Sequence, residues 1–213
     1  MRGCSLISVL VGLLIAAPAG AQEWFEYVNQ DQRFAVSLPT EPSLGDGTFQ
    51  SASGATLPTQ IFTAVNGEST YTVTVIDYSG IDAQEYAASL EHAVAHVKQR
   101  DAELTSENDA SYEGMDTRML QFSNPDQTRS FIAVTLPPAV SRLERLYIVE
   151  GRSPEDAPPP GLFQQSLSFR DNDGVRLRYG TDIDGNKFRI IGDTCGYPYR
   201  RFGEEGVVLC DLD

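Results

Sequence analysis

Tyr71-Thr-Val-Thr-Val-Ile-Asp-Tyr78 decides the fold of this chain. All of its residues but Asp77 are β-branched or aromatic, and neither Gly nor Pro interrupts them, so it reads as a strand. Side chains on a strand alternate, which puts Tyr71, Val73, Val75 and Asp77 on one face and Thr72, Thr74, Ile76 and Tyr78 on the other. Apolar groups on both faces predict that both are covered.

The neighbouring segments supply the covering layers. Thr59 to Val65 has strand character, and Asn66-Gly67 predicts an antiparallel hairpin joining it to Tyr71–Tyr78. Further upstream, Trp24, Phe25 and Tyr27 lead into a strand over 33–38, where Phe34, Val36 and Leu38 alternate with polar or small residues. Pro39 and Pro42 stop it, and the Gly/Ser/Thr-rich stretch 43–55 reads as a loop or a weak edge hairpin. Downstream, Asp82 can cap a helix running to about Arg100, with Glu85 three residues on completing a capping box. Ala83, Tyr86, Ala87, Leu90, Val94 and Val97 form its apolar stripe, expected against the central strand.

Four more strands are expected at 102–106, 115–122, 128–136 and 145–150, with Asn124-Pro-Asp-Gln127 turning the middle pair into a hairpin. Pro158-Pro-Pro160 can open a short helix over 161–167, packed through Leu162, Phe163, Ser166 and Leu167. This pattern predicts an α+β fold, a mostly antiparallel sheet with helices packed on it. After Phe169, two Asp-Gly turns at 173–174 and 184–185 separate short strands at 175–179 and 187–191. The expected organisation is a signal peptide over 1–21, an α+β domain over 22–169 and a small β-rich appendage over 170–213.

Arg2, the apolar run Leu6–Ala17 and Ala19-Gly20-Ala21 have the layout of a secretory signal, cleaved to leave Gln22 first. The run is shorter than the roughly 20 residues needed to cross a bilayer, so a periplasmic or secreted protein without a stable membrane anchor is expected. In such a compartment Cys195 and Cys210 most simply form one disulfide, stabilising the tail by roughly 3 kcal/mol in the chain-entropy picture. The net charge of −14 repels phosphate backbones and argues against nucleic acid as a partner. The tail is the locally basic part: Arg170, Arg176, Arg178, Lys187, Arg189, Arg200 and Arg201 outnumber the acids among them.

Residues able to carry chemistry are few. His92 and His96 share one helix face and could hold a transition metal given a third ligand. The run His92-Ala-Val-Ala-His96 lacks the glutamate base of a metalloprotease, and two solvated histidines on a polar helix face explain the same spacing. No Gly-x-Ser-x-Gly elbow occurs, and no cofactor motif is present. Asp182-Ile-Asp184-Gly-Asn186 brings oxygen ligands together, but its glycine stands at the fourth place of a calcium loop rather than the sixth, which favours a hairpin turn. Tyr197, Tyr199, Arg200 and Arg201 form an aromatic and basic loop between the cysteines, a candidate contact for a protein partner; packing of a small hairpin explains the same residues.

Several stretches carry a resemblance. Trp24-Phe-Glu-Tyr-Val28, Arg33-Phe-Ala-Val-Ser-Leu-Pro39, Tyr71–Tyr78, Leu146-Tyr-Ile-Val-Glu-Gly151 and above all Ala157-Pro-Pro-Pro-Gly-Leu-Phe-Gln-Gln-Ser-Leu167 resemble a set of uncharacterised exported proteins of alphaproteobacteria, over roughly 22–179. More distantly, the order of strands and helices is similar to PsbP-like proteins, an α/β/α sandwich whose photosynthetic members assist photosystem II and whose eukaryotic relatives bind the GTPase Ran. The resemblance implies an accessory or binding role without catalysis. A metal-binding protein or metal-dependent enzyme built on the histidine pair is the alternative.

Overall fold

The computed structural model describes residues 24–182, 184–191, 200–202 and 207–210, the stretch from 191 onward as backbone alone. The expected signal segment 1–21 lies outside the described residues, as does Cys195 and hence the expected Cys195–Cys210 bridge.

The described strands form two seven-stranded sheets. In the second, β3 (Ser43–Gln50), β4 (Thr56–Asn66), β5 (Ser69–Asp77), β9 (Arg145–Pro154), β8 (Thr128–Leu136), β7 (Met115–Ser123) and β6 (Glu103–Tyr112) lie side by side, each antiparallel to its neighbours. Of the two readings of 43–55, loop or weak edge hairpin, the structure shows the second: Ser43–Gln50 is an edge strand in an antiparallel hairpin with β4, paired along its length. Its glycines and exposed side chains suit an edge, and Glu103, Glu107 and Asp109 mark the opposite edge with charge. The β4–β5 loop is Gly67-Glu68, one position later than an Asn66-Gly67 centre, with Gly67 at φ +58.

The first sheet orders β1 (Phe25–Asn29), β2 (Phe34–Leu38), β10 (Ser168–Arg170), β11 (Arg176–Thr181), β12 (Lys187–Ile191), β14 (Val207–Cys210) and β13 (Arg200–Phe202). It covers one face of the second sheet. Val73, Val75, Ala133, Tyr147 and Val149 meet Phe34, Val36, Phe169, Leu177 and Tyr179 there in one core. Phe34 packs edge-on to Phe62 at 5.1 Å and Tyr147 to Phe169 at 4.8 Å, geometries that favour the aromatic quadrupole. The other face takes α1 (Ala83–Val97) over a second core of Ile76, Tyr78, Leu120, Ile132, Val134 and Leu146. The α+β class therefore holds, but the layers are sheet, sheet and helix: a β-sheet occupies the face where an α/β/α sandwich would carry a helix. The second helix, α2 (Gly161–Gln165), is a short plug that buries Phe163 and leaves Leu162 84% exposed.

α1 begins as expected, with the Asp82 carboxylate accepting from the amides of Gln84 and Glu85. The box is not closed; Glu85 accepts instead from the Ser53 amide and ties the 51–55 turn to the helix. The buried stripe is also rotated. Ser89 and Ala93 are buried while Ala83 and Ala87 are exposed, because α1 lies chiefly over β7 and β8. Small residues on the contact line let the helix approach the sheet.

The sheet runs through the boundary expected at 169/170. β10 spans that boundary and pairs with both β2 and β11, and Leu177 and Tyr179 belong to the main core. The basic character of the tail has a local explanation: Arg170, Arg176 and Lys187 pair with Glu26, Glu113 and Asp116 of the preceding part. At the β6–β7 turn, Glu113 O accepts from Tyr179 N at 2.7 Å, joining the two sheets. Gly114 follows at φ +78, and a Cβ there would lie 1.8 Å from Tyr179 O. Gly114→Ala is therefore expected to cost at least about 2 kcal/mol in urea denaturation, since both the backbone conformation and the space are closed to alanine.

Candidate functional site

A cleft of about 620 Å³ opens at one end of the sandwich, where the β1–β2 turn, the loop before β9 and the β10–β11 turn converge. Each of its lips is held by identifiable bonds.

The β1–β2 turn is one lip. Asn29 Oδ1 accepts from the Gln32 amide, and Arg33 N donates to Gln30 O. Arg33 then takes a left-handed φ of +56, a conformation costing roughly 1 kcal/mol for an L-residue. The turn is clamped from two sides. Tyr147 OH donates to Gln32 O at 2.8 Å and Arg145 Nε to Gln32 Oε1 at 3.0 Å, both from β9. Gln30 Nε2 donates to Asp171 O and Asn172 O of the β10–β11 turn.

A second lip follows Pro137-Pro138 as a single 3-10 turn over Ala139–Ser141. Arg142 and Glu144 are both left-handed, at φ +53 and +47, on either side of Leu143. Leu143 is buried in the main core and Glu144 O accepts from Tyr78 N at 2.8 Å. Those two anchors hold the strained residues between them, leaving Arg142 exposed at the rim.

Asp171 and Arg189 line the third side beside Leu177 and Tyr179. Asp171 Oδ1 accepts from the amides of Asp173 and Val175, and Oδ2 from Arg189 Nη2. Burial works to raise the Asp171 pKa, but Arg189 and those amides outweigh it and hold the carboxyl below its ordinary value. Burial pushes the Tyr179 phenol up.

The arginines are not equivalent. Of the described lysine and arginine side chains, eight form ion pairs. Arg129 and Arg145 donate to neighbouring oxygens, and Arg178 is also partnered. Arg33 and Arg142 are the two without a side-chain hydrogen bond or ion pair, and both line this cleft. No motif pointed to them, because they are far apart in sequence and their left-handed backbone has no signature in an arginine codeword.

The residues singled out from sequence lie elsewhere. His92 and His96 flank the edge strand: both rings stand edge-on to Phe49, at 5.6 and 5.2 Å, and His92 Nε2 lies 2.9 Å from Gln50 O. Among the described residues no group of three His, Cys, Asp or Glu is placed to hold a metal ion. Asp182 repeats the Asp171 turn, its Oδ1 accepting from the amides of Asp184 and Asn186, so these oxygens serve a hairpin. Tyr197 and Tyr199 lie outside the described residues. Arg200 and Arg201 start β13, opposite Cys210 and Leu209 of β14, and their side chains lie outside the described set.

Fold and cleft define a two-sheet α+β protein with an arginine-lined recess at the seam between its sheets. No family model matches the chain, and no curated protein matches it. Among solved structures it is similar to the solution structure of cyanobacterial PsbP (CyanoP) from Synechocystis sp. PCC 6803, with a TM-score of 0.40 and 15% identity over 68% of this chain and 88% of that one. A likeness of that degree leaves the site to be read from this chain's own residues.

Two outcomes follow from the geometry. A carboxyl with a depressed folded pKa contributes stability above its unfolded pKa and loses it as pH falls through the folded value. Asp171 and Asp182 are both held below 3.8, so the thermal midpoint should fall as the pH drops below about 4, and Asp171→Asn should lower the midpoint at neutral pH while flattening that acid limb. His92→Ala should destabilise the protein by about 1 kcal/mol through lost packing on Phe49, with elemental analysis of the purified wild type finding no stoichiometric metal.

Proposed function

We propose that this chain is an exported, non-enzymatic binding protein of accessory type, acting in the periplasm or after secretion, with the cleft as its binding seat. The observation that carries this reading is the character of the lining groups. Arginine keeps its charge throughout the physiological range, and a carboxyl held below its ordinary pKa is a poor base at neutral pH. Fixed charges position a ligand; proton-transfer chemistry requires groups poised to titrate. Ser141, the hydroxyl at the rim, accepts from the Leu143 amide, and among the described lining residues no histidine or lysine stands beside it as a base.

The volume supports the same reading, being within the usual range for small-ligand sites of roughly 300–1,000 Å³. The signal-like segment before Gln22 and the resemblance of 22–179 to exported proteins support the location. The rival, a metal protein using His92 and His96, needs a third ligand outside the described residues.

Native mass spectrometry of protein recovered from the periplasm is the test. The expected result is a bound ligand or partner on the wild type that is missing from Arg33→Gln/Arg142→Gln. A bare polypeptide mass with nothing copurifying counts against a binding role, and turnover abolished by His92→Ala would favour the rival.

A further inference from the structure

We infer that the cleft recognises a small amphiphilic anion: a carboxylate or phosphate group held between Arg33 and Arg142, with an apolar body lying against Val140, Leu177 and Tyr179. This names the ligand class for the cleft and rests on the binding role given above.

Four observations converge. First, the chain carries a net charge of −14, and its described cations are otherwise drawn into ion pairs or hydrogen bonds. In such a field two guanidinium groups left open on one recess are the exception. Second, those two line the cleft from different loops, the β1–β2 turn and the loop before β9, and occupy left-handed backbone, at φ +56 and +53. Glycine or asparagine would adopt that backbone at lower cost. Third, the remaining charges do not cancel them. Asp171 is occupied by Arg189 and two amides, which leaves Asp173 as the lining carboxylate without a partner against two open arginines. The buried Nε of Arg189 also has no hydrogen-bond partner. Fourth, the wall beside the arginines is apolar, with Val140 52% exposed and Leu177 and Tyr179 behind it.

The chemistry selects the ligand. A guanidinium presents parallel N–H donors whose spacing matches the two oxygens of a carboxylate or two oxygens of a phosphate. Two such forks at a partly enclosed site favour an oxyanion over a halide or a neutral polar group. The apolar wall favours an anion with a hydrocarbon or aromatic body over inorganic phosphate.

The experiment is a titration of the purified protein followed by ¹⁵N amide shifts, with phenyl phosphate, phenylacetate, inorganic phosphate and uncharged 2-phenylethanol as probes. Both aromatic anions should shift the amides of Arg33, Arg142 and Asp171–Asp173 and bind more weakly as salt is raised; the tighter of the two tells phosphate from carboxylate. Inorganic phosphate should bind the same amides more weakly, and 2-phenylethanol should not bind. Arg142→Gln, at an exposed position, and Arg33→Gln should each weaken the anions about tenfold, Arg142→Lys should fall between, and Arg152→Gln, outside the cleft, should bind as wild type. Binding of 2-phenylethanol as tight as the anions would overturn the anion inference while leaving the cleft a binding seat. Anion shifts unaltered in both glutamine variants, or no shift with any probe, would overturn it too, and the native mass measurement then decides the binding role on its own.

Discussion

The central strands of the second sheet bury apolar side chains on both faces, and the rest of the structure follows from that constraint. Along β5 and β9 successive side chains leave in opposite directions. Val73, Val75, Tyr147 and Val149 enter the core under the first sheet, and Ile76 and Leu146 enter the core under α1. A register slip of one residue in β5 would send each set to the wrong core and expose Thr72 and Thr74 to the aromatic layer. The pairing of Val73 with Val149 and of Val75 with Tyr147 is thus fixed from two sides at once.

Once the register is set, the cleft follows from where the two sheets meet. Tyr147 reaches from β9 to the backbone of the β1–β2 turn, and Gln30 reaches from that turn to the one after β10. Three loops from distant parts of the chain are thereby brought to one rim. Backbone strain at Arg33, Arg142 and Glu144 is sustained by these bonds and by the burial of Leu143, which together over-determine the local conformation. Charge is arranged around the same seam. The cations of β10 to β12 pair with acids of β1 and of the β6–β7 hairpin, so the tail is fastened where a separate appendage was expected, and Arg33 and Arg142 at the cleft stay outside these pairs. Being partly exposed, those pairs contribute modestly one by one; their greater effect is on which strands lie together.

Much of the strand pattern was legible because it depends on local signals. The hairpins at Asn66-Gly67 and Asn124–Gln127, the Asp82 cap and the two Asp-Gly turns all rest on residue types whose backbone preferences act within a few positions. Readings that needed a partner surface stayed open or went differently. The stretch 43–55 has few apolar side chains and left loop and edge hairpin undecided; Ser43–Gln50 forms the edge strand because β4 supplies a full ladder of backbone bonds. The α1 stripe turned toward Ser89 and Ala93 because the surface beneath it rewards close approach over bulk. His92 and His96 share a helix face by spacing, and only the tertiary structure set both rings edge-on to Phe49 of the adjoining strand.

What the amino-acid sequence determined by itself is most of the longer strands, the position of the main helix, much of the turn chemistry and the two-faced character of Tyr71–Tyr78, since each is set by periodicity and by backbone preferences acting over a few residues. Only the tertiary structure decided that the second covering layer is a sheet, that β10 carries the chain across the expected domain boundary, and that Arg33 and Arg142 share a cleft. The physical reason is sequence separation. Those features depend on which of several compatible surfaces bury one another and on which acids each arginine meets, and neither is encoded in the residues flanking it.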